Sequence, residues 1–312
     1  MTTSGSVDHS VSRDNLIYDA LSIAGATGPE DTPVASWVTH AARQLNNIFK
    51  AWEGLGVSLW ARKTGYILPV SSTNQALAGP SGGHVTNSYT QTTLSADASS
   101  GASTVSVTSA TGISASDYIG IELEDSTMHW TTVSGAPSGT TVTLTAVLTG
   151  AASSGGYVYV YTTKSPRPIH LLQAWVHDQV GDTDTPIEVV PKAIYDDLGY
   201  KAATGSGNQI TYDPQLTNGV FFFYPRFSNG REVIGIVYQR PFEDFDASGD
   251  TPDCPQNWYD ALLMALAVRL APVYGMPAPD RQILRQEAKD ALQMALDSEP
   301  EDGSLTIVPD MR

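Results

Sequence analysis

The chain is poor in the residues that many functions need. Of its 312 residues only Cys254 is a cysteine. An internal disulfide and a thiolate metal cluster are therefore excluded, and synthesis inside a cell is expected. No apolar run approaches the roughly 18 residues of a membrane span, so no membrane partner is expected. The segment MTTSGSVDHS lacks a basic stretch followed by an apolar one and does not read as a secretory signal. Cations are scarce as well: 17 Lys and Arg stand against 33 Asp and Glu, a net charge of −16. Such a surface repels nucleic-acid phosphates and argues against sequence-specific DNA binding. The charge is compatible with plain solubility or with a surface past which DNA slides without sticking. Composition alone does not separate the two.

Catalytic signatures are missing too. The sequence has no HExxH, P-loop, dinucleotide-binding glycine fingerprint or GxSxG. Among the histidines, only His170 and His177 lie near each other, with Asp178 beside the second; on a regular strand their odd separation predicts opposite faces. Asp182 and Asp184 read as a solvated acidic turn, since two carboxylates bind a hard cation weakly. Glu243, Asp244 and Asp246 read as a charged loop before a helix, with no partner in sequence to raise a carboxyl pKa. Cys254 has no histidine base nearby and reads as a small half-buried residue. Arg226, Arg231 and Arg240 suit salt bridges between subunits better than contacts to DNA. The expectation is a chain that is not an enzyme, with no catalytic residues, no cofactor and no metal.

What is present is pattern. Ser12 precedes a short amphipathic helix carrying Leu16, Ile17, Ala20 and Leu21, with Gly25 as its stop. After Pro33, the residues Val34, Trp37, Val38, Ala41, Leu45, Ile48, Phe49 and Trp52 repeat at three and four and predict a longer helix ending at Gly54 and Gly56. Trp and Phe at this spacing read as core rather than as a ligand groove. A strand is predicted from Leu59 to Leu68. Residues 83–163 then change texture: rich in Ser, Thr, Gly and Ala, without a Lys or Arg, and alternating around Val105, Tyr118–Leu123, Trp130–Val133, Val142 and Tyr157–Tyr161. Five or six short strands are expected there. Further strands are predicted at Ile169–Val176, Ile187–Val190, Ile210–Tyr212, Val220–Tyr224 and Val233–Tyr238, with a short helix from Pro191. Two closing helices follow, striped by Trp258, Leu262, Leu266 and Leu270 and by Ile283, Leu284, Ala288, Ala291, Leu292 and Ala295. The fold class expected is α+β: a helical-bundle host domain with a β-rich part (1–82 and 164–299), an inserted small antiparallel β domain (83–163) and an extended C-terminal docking arm (300–312).

Four segments carry a resemblance. They are DNLIYDALSIAG; AARQLNNIFKAWEGLGVSLWARKTGYILPV; YDPQLTNGVFFFYPRFSNGREVIGIVYQRPFEDFD; and CPQNWYDALLMALAVRLAPVYGM with the later EDGSLTIVPDMR. In order and spacing they resemble the head-to-tail adaptors of short-tailed bacteriophages, the neck, packaged-DNA stabilisation and tail tubular protein A-like group. The resemblance covers 12–80 and 166–312, about two-thirds of the chain; the 83–163 insert departs from it. It implies a structural connector of the virion neck, assembled in the host cytoplasm. The connector would form a homo-oligomeric, twelvefold ring below the portal protein, pass DNA through its lumen without reading it, and hold tail or nozzle proteins. The arm residues Leu305, Ile307, Val308 and Asp310 are the expected portal or subunit docking residues. Two alternatives stay open at this point. One is a virion-associated cell-wall hydrolase. The other is receptor or carbohydrate binding by the insert, where Tyr118, Trp130, Tyr157, Tyr159 and Tyr161 offer stacking surfaces.

Overall fold

The computed structural model describes residues 5–29, 31–54, 59–70 and 74–298. It is a mixed α+β protein of two compact units. One joins Met1–Ala61 to Phe242–Arg312; the other is Arg62–Pro241.

The first unit is helical. In α1 (Arg13–Ile23) the Ser12 hydroxyl caps the helix by accepting from the Asn15 N–H, 3.3 Å. Its buried residues are the predicted Leu16, Ile17, Ala20 and Leu21. α2 (Ala35–Glu53) buries Ala41, Leu45, Ile48, Phe49 and Trp52 and ends at Gly54. A 3-10 turn over Leu59–Ala61 stands where the sequence predicted the start of a strand. After the β unit, α4 (Tyr259–Leu270) packs against α1, α2 and the last helix, α5 (Ala278–Asp297). That central position explains why α4 is apolar on most sides, whereas α5 fully buries only Leu284 and Ala295.

Among the described residues, the regular elements of the second unit are strands, numbered β1 to β14 in chain order, and one short helix, α3 (Lys192–Asp196). β1 (Arg62–Ile67), β2 (Gln75–Ala78) and β3 (Val85–Thr86) join β10 (His170–Asp178), β11 (Thr183–Val189), β12 (Gln209–Asp213), β13 (Gly219–Tyr224) and β14 (Glu232–Gln239). They form an eight-stranded sheet ordered β2-β13-β12-β11-β10-β14-β1-β3. Its pairs are antiparallel except β11 with β12. The two ends of that order meet, with the Gly83 N–H donating to the Leu77 carbonyl at 2.8 Å, so the sheet curls around its own core. That core includes Ile67, Ile210, Phe221, Phe223, Ile234, Ile236 and Tyr238.

β4 (Thr90–Thr93), β9 (Tyr157–Tyr161), β6 (Tyr118–Glu122) and β7 (Met128–Thr132) form a four-stranded sheet in that order; β5 (Thr104–Ser106) pairs with β8 (Thr141–Thr143). Strand alternation gives the sheet two different faces. Val158 and Val160 of β9, with Ile119 and Ile121 of β6, point into an aliphatic core shared with Val105, Val107 and Val142. Tyr157, Tyr159 and Tyr161 point the other way, with Tyr118, Met128 and Trp130, onto Leu68, Val233, Tyr66 and Tyr89.

This aromatic seam explains a difference from the sequence-based boundaries. Contacts do not group 164–241 with the helices and set 83–163 apart; they group both with β1 in one unit. Leu68 and Val233 belong to the segments assigned to the host, yet their partners are the tyrosines of 83–163.

Candidate functional site

The helical unit is closed by the segment leaving the β unit, Phe242–Asp246. Phe242 and Phe245 lie on Phe49, with ring centroids 4.9 and 5.3 Å away. The Asn46 side chain clamps the Phe245 backbone on both sides: its carbonyl oxygen accepts from the Phe245 N–H (2.9 Å) and its amide donates to the Phe245 carbonyl (3.2 Å). Glu53 accepts from the Phe242 N–H at 2.7 Å. Lys50 pairs with Glu53 (2.8 Å) and Asp244 (2.9 Å). Burial pulls the Lys50 pKa down, but hydrogen bonds and charge from these two carboxylates outweigh it and leave it raised. The acidic residues Glu243, Asp244 and Asp246 thus sit in a loop held by specific bonds. Asp250 accepts from the N–H groups of Asp246 (2.7 Å) and Ala247 (2.6 Å), and Asp253 accepts from the Glu243 N–H (3.0 Å). Cys254 is half-buried beside the helical core. The aromatic stripe of α2 is core, as expected: Trp52 meets Trp258 edge-on at 5.6 Å.

At the β10–β11 hairpin two expectations are corrected. The pairing of β10 with β14 slips between Leu171 and Gln173, so β10 carries one extra residue. His170 and His177 lie opposite Gln239 and Val233, which are six residues apart on β14, and so they share a face. They remain about 20 Å apart along the strand. Asp184 is a strand residue rather than part of a loop. It pairs in register with His177 and accepts from its Nδ1 at 2.8 Å, while Asp182 occupies the turn with φ +47. Asp178 pairs with Arg231 at 3.1 Å, within the chain. Among the described residues no group of three or more His, Cys, Asp or Glu is placed to hold a metal ion.

Sequence reasoning missed Glu232. It is buried next to Asp178 and Arg231, and burial raises its carboxyl pKa. A glutamate at an inward-packed end of the apolar run EVIGIVYQ was the available signal. It also missed an open groove on the outer face of the curled sheet, lined by Leu172, Trp175, Pro186, Val189 and Val237. The β10 irregularity that turns Trp175 to that face is invisible to simple alternation.

The five aromatics considered for ligand stacking are instead packed in the seam. Tyr159 and Tyr161 are buried, and burial raises both phenol pKa values. Tyr159 donates to the Gly230 carbonyl at 2.6 Å, and Glu122 accepts from the Gly230 N–H at 2.9 Å. Trp130 Nε1–H donates to the Pro69 carbonyl at 3.0 Å. The expected docking residues Leu305, Ile307, Val308 and Asp310 lie outside the described residues.

Fold and contacts together define a mixed α+β protein with a helical unit and a β unit. No protein-family model matches the chain, and no curated protein matches it.

Proposed function

We propose that the chain is a non-enzymatic structural subunit of a tailed-phage neck. In this reading it is a head-to-tail connector that assembles as a ring below the portal, extends the DNA channel, helps retain packaged DNA and gives tail proteins a platform. The observation that carries the reading is the convergence, in one hydrophobic core, of helical-unit segments from all four parts of the sequence that resemble the adaptors. Leu16 and Leu21 of the first, Leu45, Phe49 and Trp52 of the second, Phe242 and Phe245 of the third, and Trp258, Leu262 and Leu266 of the fourth belong to a single cluster. Their order is therefore tied to one packing solution rather than to scattered likeness. The net charge of −16 suits a conduit along which DNA must not stick.

The test is to mix the protein with portal rings purified from the same virion and sediment the mixture through a density gradient. Comigration with the portal supports the connector. Sedimentation apart from the portal, together with clearing of peptidoglycan that Glu243→Gln abolishes, replaces it with the hydrolase.

A further inference from the structure

α5 segregates its charges. At 3.6 residues per turn, Arg281, Arg285 and Lys289 fall on one flank with Leu296. Asp280, Glu287, Asp290 and Asp297 fall on the nearly opposite flank with Ile283 and Met294, and the face held by α4 lies between them. Ile283 is 61% and Met294 72% exposed. Among the described residues, none of the three cations forms an ion pair within the chain. The Arg281 Nε is buried without a hydrogen-bond partner. A helix built only for solvation gains by alternating opposite charges at i,i+4. α5 does the reverse, placing Arg281, Arg285 and Lys289 at successive i,i+4 steps and Glu287 beside Asp290 at i,i+3, arrangements that destabilise an isolated helix. In a chain with only 17 cations, three on one stripe of one helix is a concentrated deployment.

We propose that α5 is a two-sided contact between copies of this chain, the basic flank of one copy docking on the acidic, Ile283- and Met294-bearing flank of the next. The partner is a second copy because the complement of each flank is on the same helix. Where α5 lies along the axis of a ring, equivalent helices run parallel at one height. The cations, spread over about 12 Å, then face Asp280, Glu287 and Asp290, spread over about 15 Å. Such a contact is heterologous and repeats around a closed ring. Ile283 and Met294 add apolar burial beside the charges. The ring geometry rests on the connector reading; the flank-to-flank contact itself does not.

The experiment uses the full chain and sedimentation velocity, with circular dichroism to check helix content. Three variants are made: Arg285→Glu with Lys289→Glu, Glu287→Lys with Asp290→Lys, and all four together. Wild type is expected to self-associate. Each two-site reversal should weaken association at least about tenfold, while mixing the two reversed proteins, or combining all four changes in one chain, should restore it. Rescue by the counterpart cannot arise from misfolding. Association equal in all variants overturns the α5 contact and leaves the connector standing. An open filament disrupted by the reversals keeps the contact and removes the ring. A wild type that is only a dimer overturns the two-sided contact, because opposite flanks of one helix cannot both be engaged in a pair. A monomeric wild type at high concentration overturns the contact, and so does a basic flank whose reversal abolishes binding to duplex DNA without changing the assembly.

Discussion

The His84 imidazole lies face to face on the Trp130 indole, ring centroids 3.7 Å apart and planes 10° from parallel, while its Nδ1 meets the Tyr161 hydroxyl at 3.0 Å. Burial, assisted by the Lys164 charge, lowers the His84 pKa from 6.5 to about 3. The folded state thus holds this ring neutral while the unfolded chain protonates it. The contribution is fully present above pH 6.5 and is lost as pH falls from 6.5 towards 3, at up to about 1.4 kcal/mol per pH unit. Between pH 7 and pH 5, wild type should lose about 2 kcal/mol more in urea unfolding than His84→Gln, which cannot titrate. Equal losses in the two proteins contradict a buried neutral His84.

The seam also depends on Tyr159, whose hydroxyl donates to the Gly230 carbonyl inside the β unit. Tyr159→Phe removes that donor and leaves the carbonyl without this partner, an expected cost of about 1–3 kcal/mol. Thermal unfolding followed by near-ultraviolet circular dichroism measures it; an unchanged midpoint counts against the bond.

Trp130 and Gly120 face each other across β6 and β7, and a Cβ on Gly120 would come within 2.6 Å of the indole. The indole cannot move aside easily, because His84 stacks on it and Pro69 accepts its N–H. Gly120→Ala should therefore cost about 1–3 kcal/mol through overpacking and shift tryptophan emission to the red. In the Trp130→Ala background the same change should cost much less.

These relationships show what a linear reading reaches and what it does not. α1, α2, α4 and α5 were legible because their apolar residues recur at three and four. β9 was legible because tyrosine and valine alternate along it. β2 and β4 were not, since QALA and TQTT are short runs of small or polar residues, even though Ala76, Ala78 and Thr92 are buried. The first half of β11 was hidden by TDTP, which carries turn residues in a strand paired to β10. The contact units divide the chain at other places than the expected domains, because alternation says which residues share a face, not which distant segment that face meets. Tyr157, Tyr159 and Tyr161 were visible as a stripe, but Leu68 and Val233 as their partners were not. On α5 the apolar stripe was read and the charge segregation beside it was passed over.

In the helical unit, Asn46 is the residue on which docking of the returning chain depends. Asn46→Ala removes both bonds to the Phe245 backbone and should destabilise that unit by about 1–3 kcal/mol. Asn46→Asp keeps only the acceptor and should fall between wild type and Asn46→Ala. Amide hydrogen exchange at Phe245 reads this directly: faster exchange in Asn46→Ala than in Asn46→Asp is expected, and equal protection in all three proteins contradicts the clamp.

The connector account is tested most directly by the native mass of the protein mixed with portal rings from its own virion. The account predicts one dominant species, heavier than the portal ring by a fixed whole-number multiple of the 33.2 kDa subunit and unchanged by excess protein. A portal ring of unaltered mass beside free 33.2 kDa subunits would contradict it.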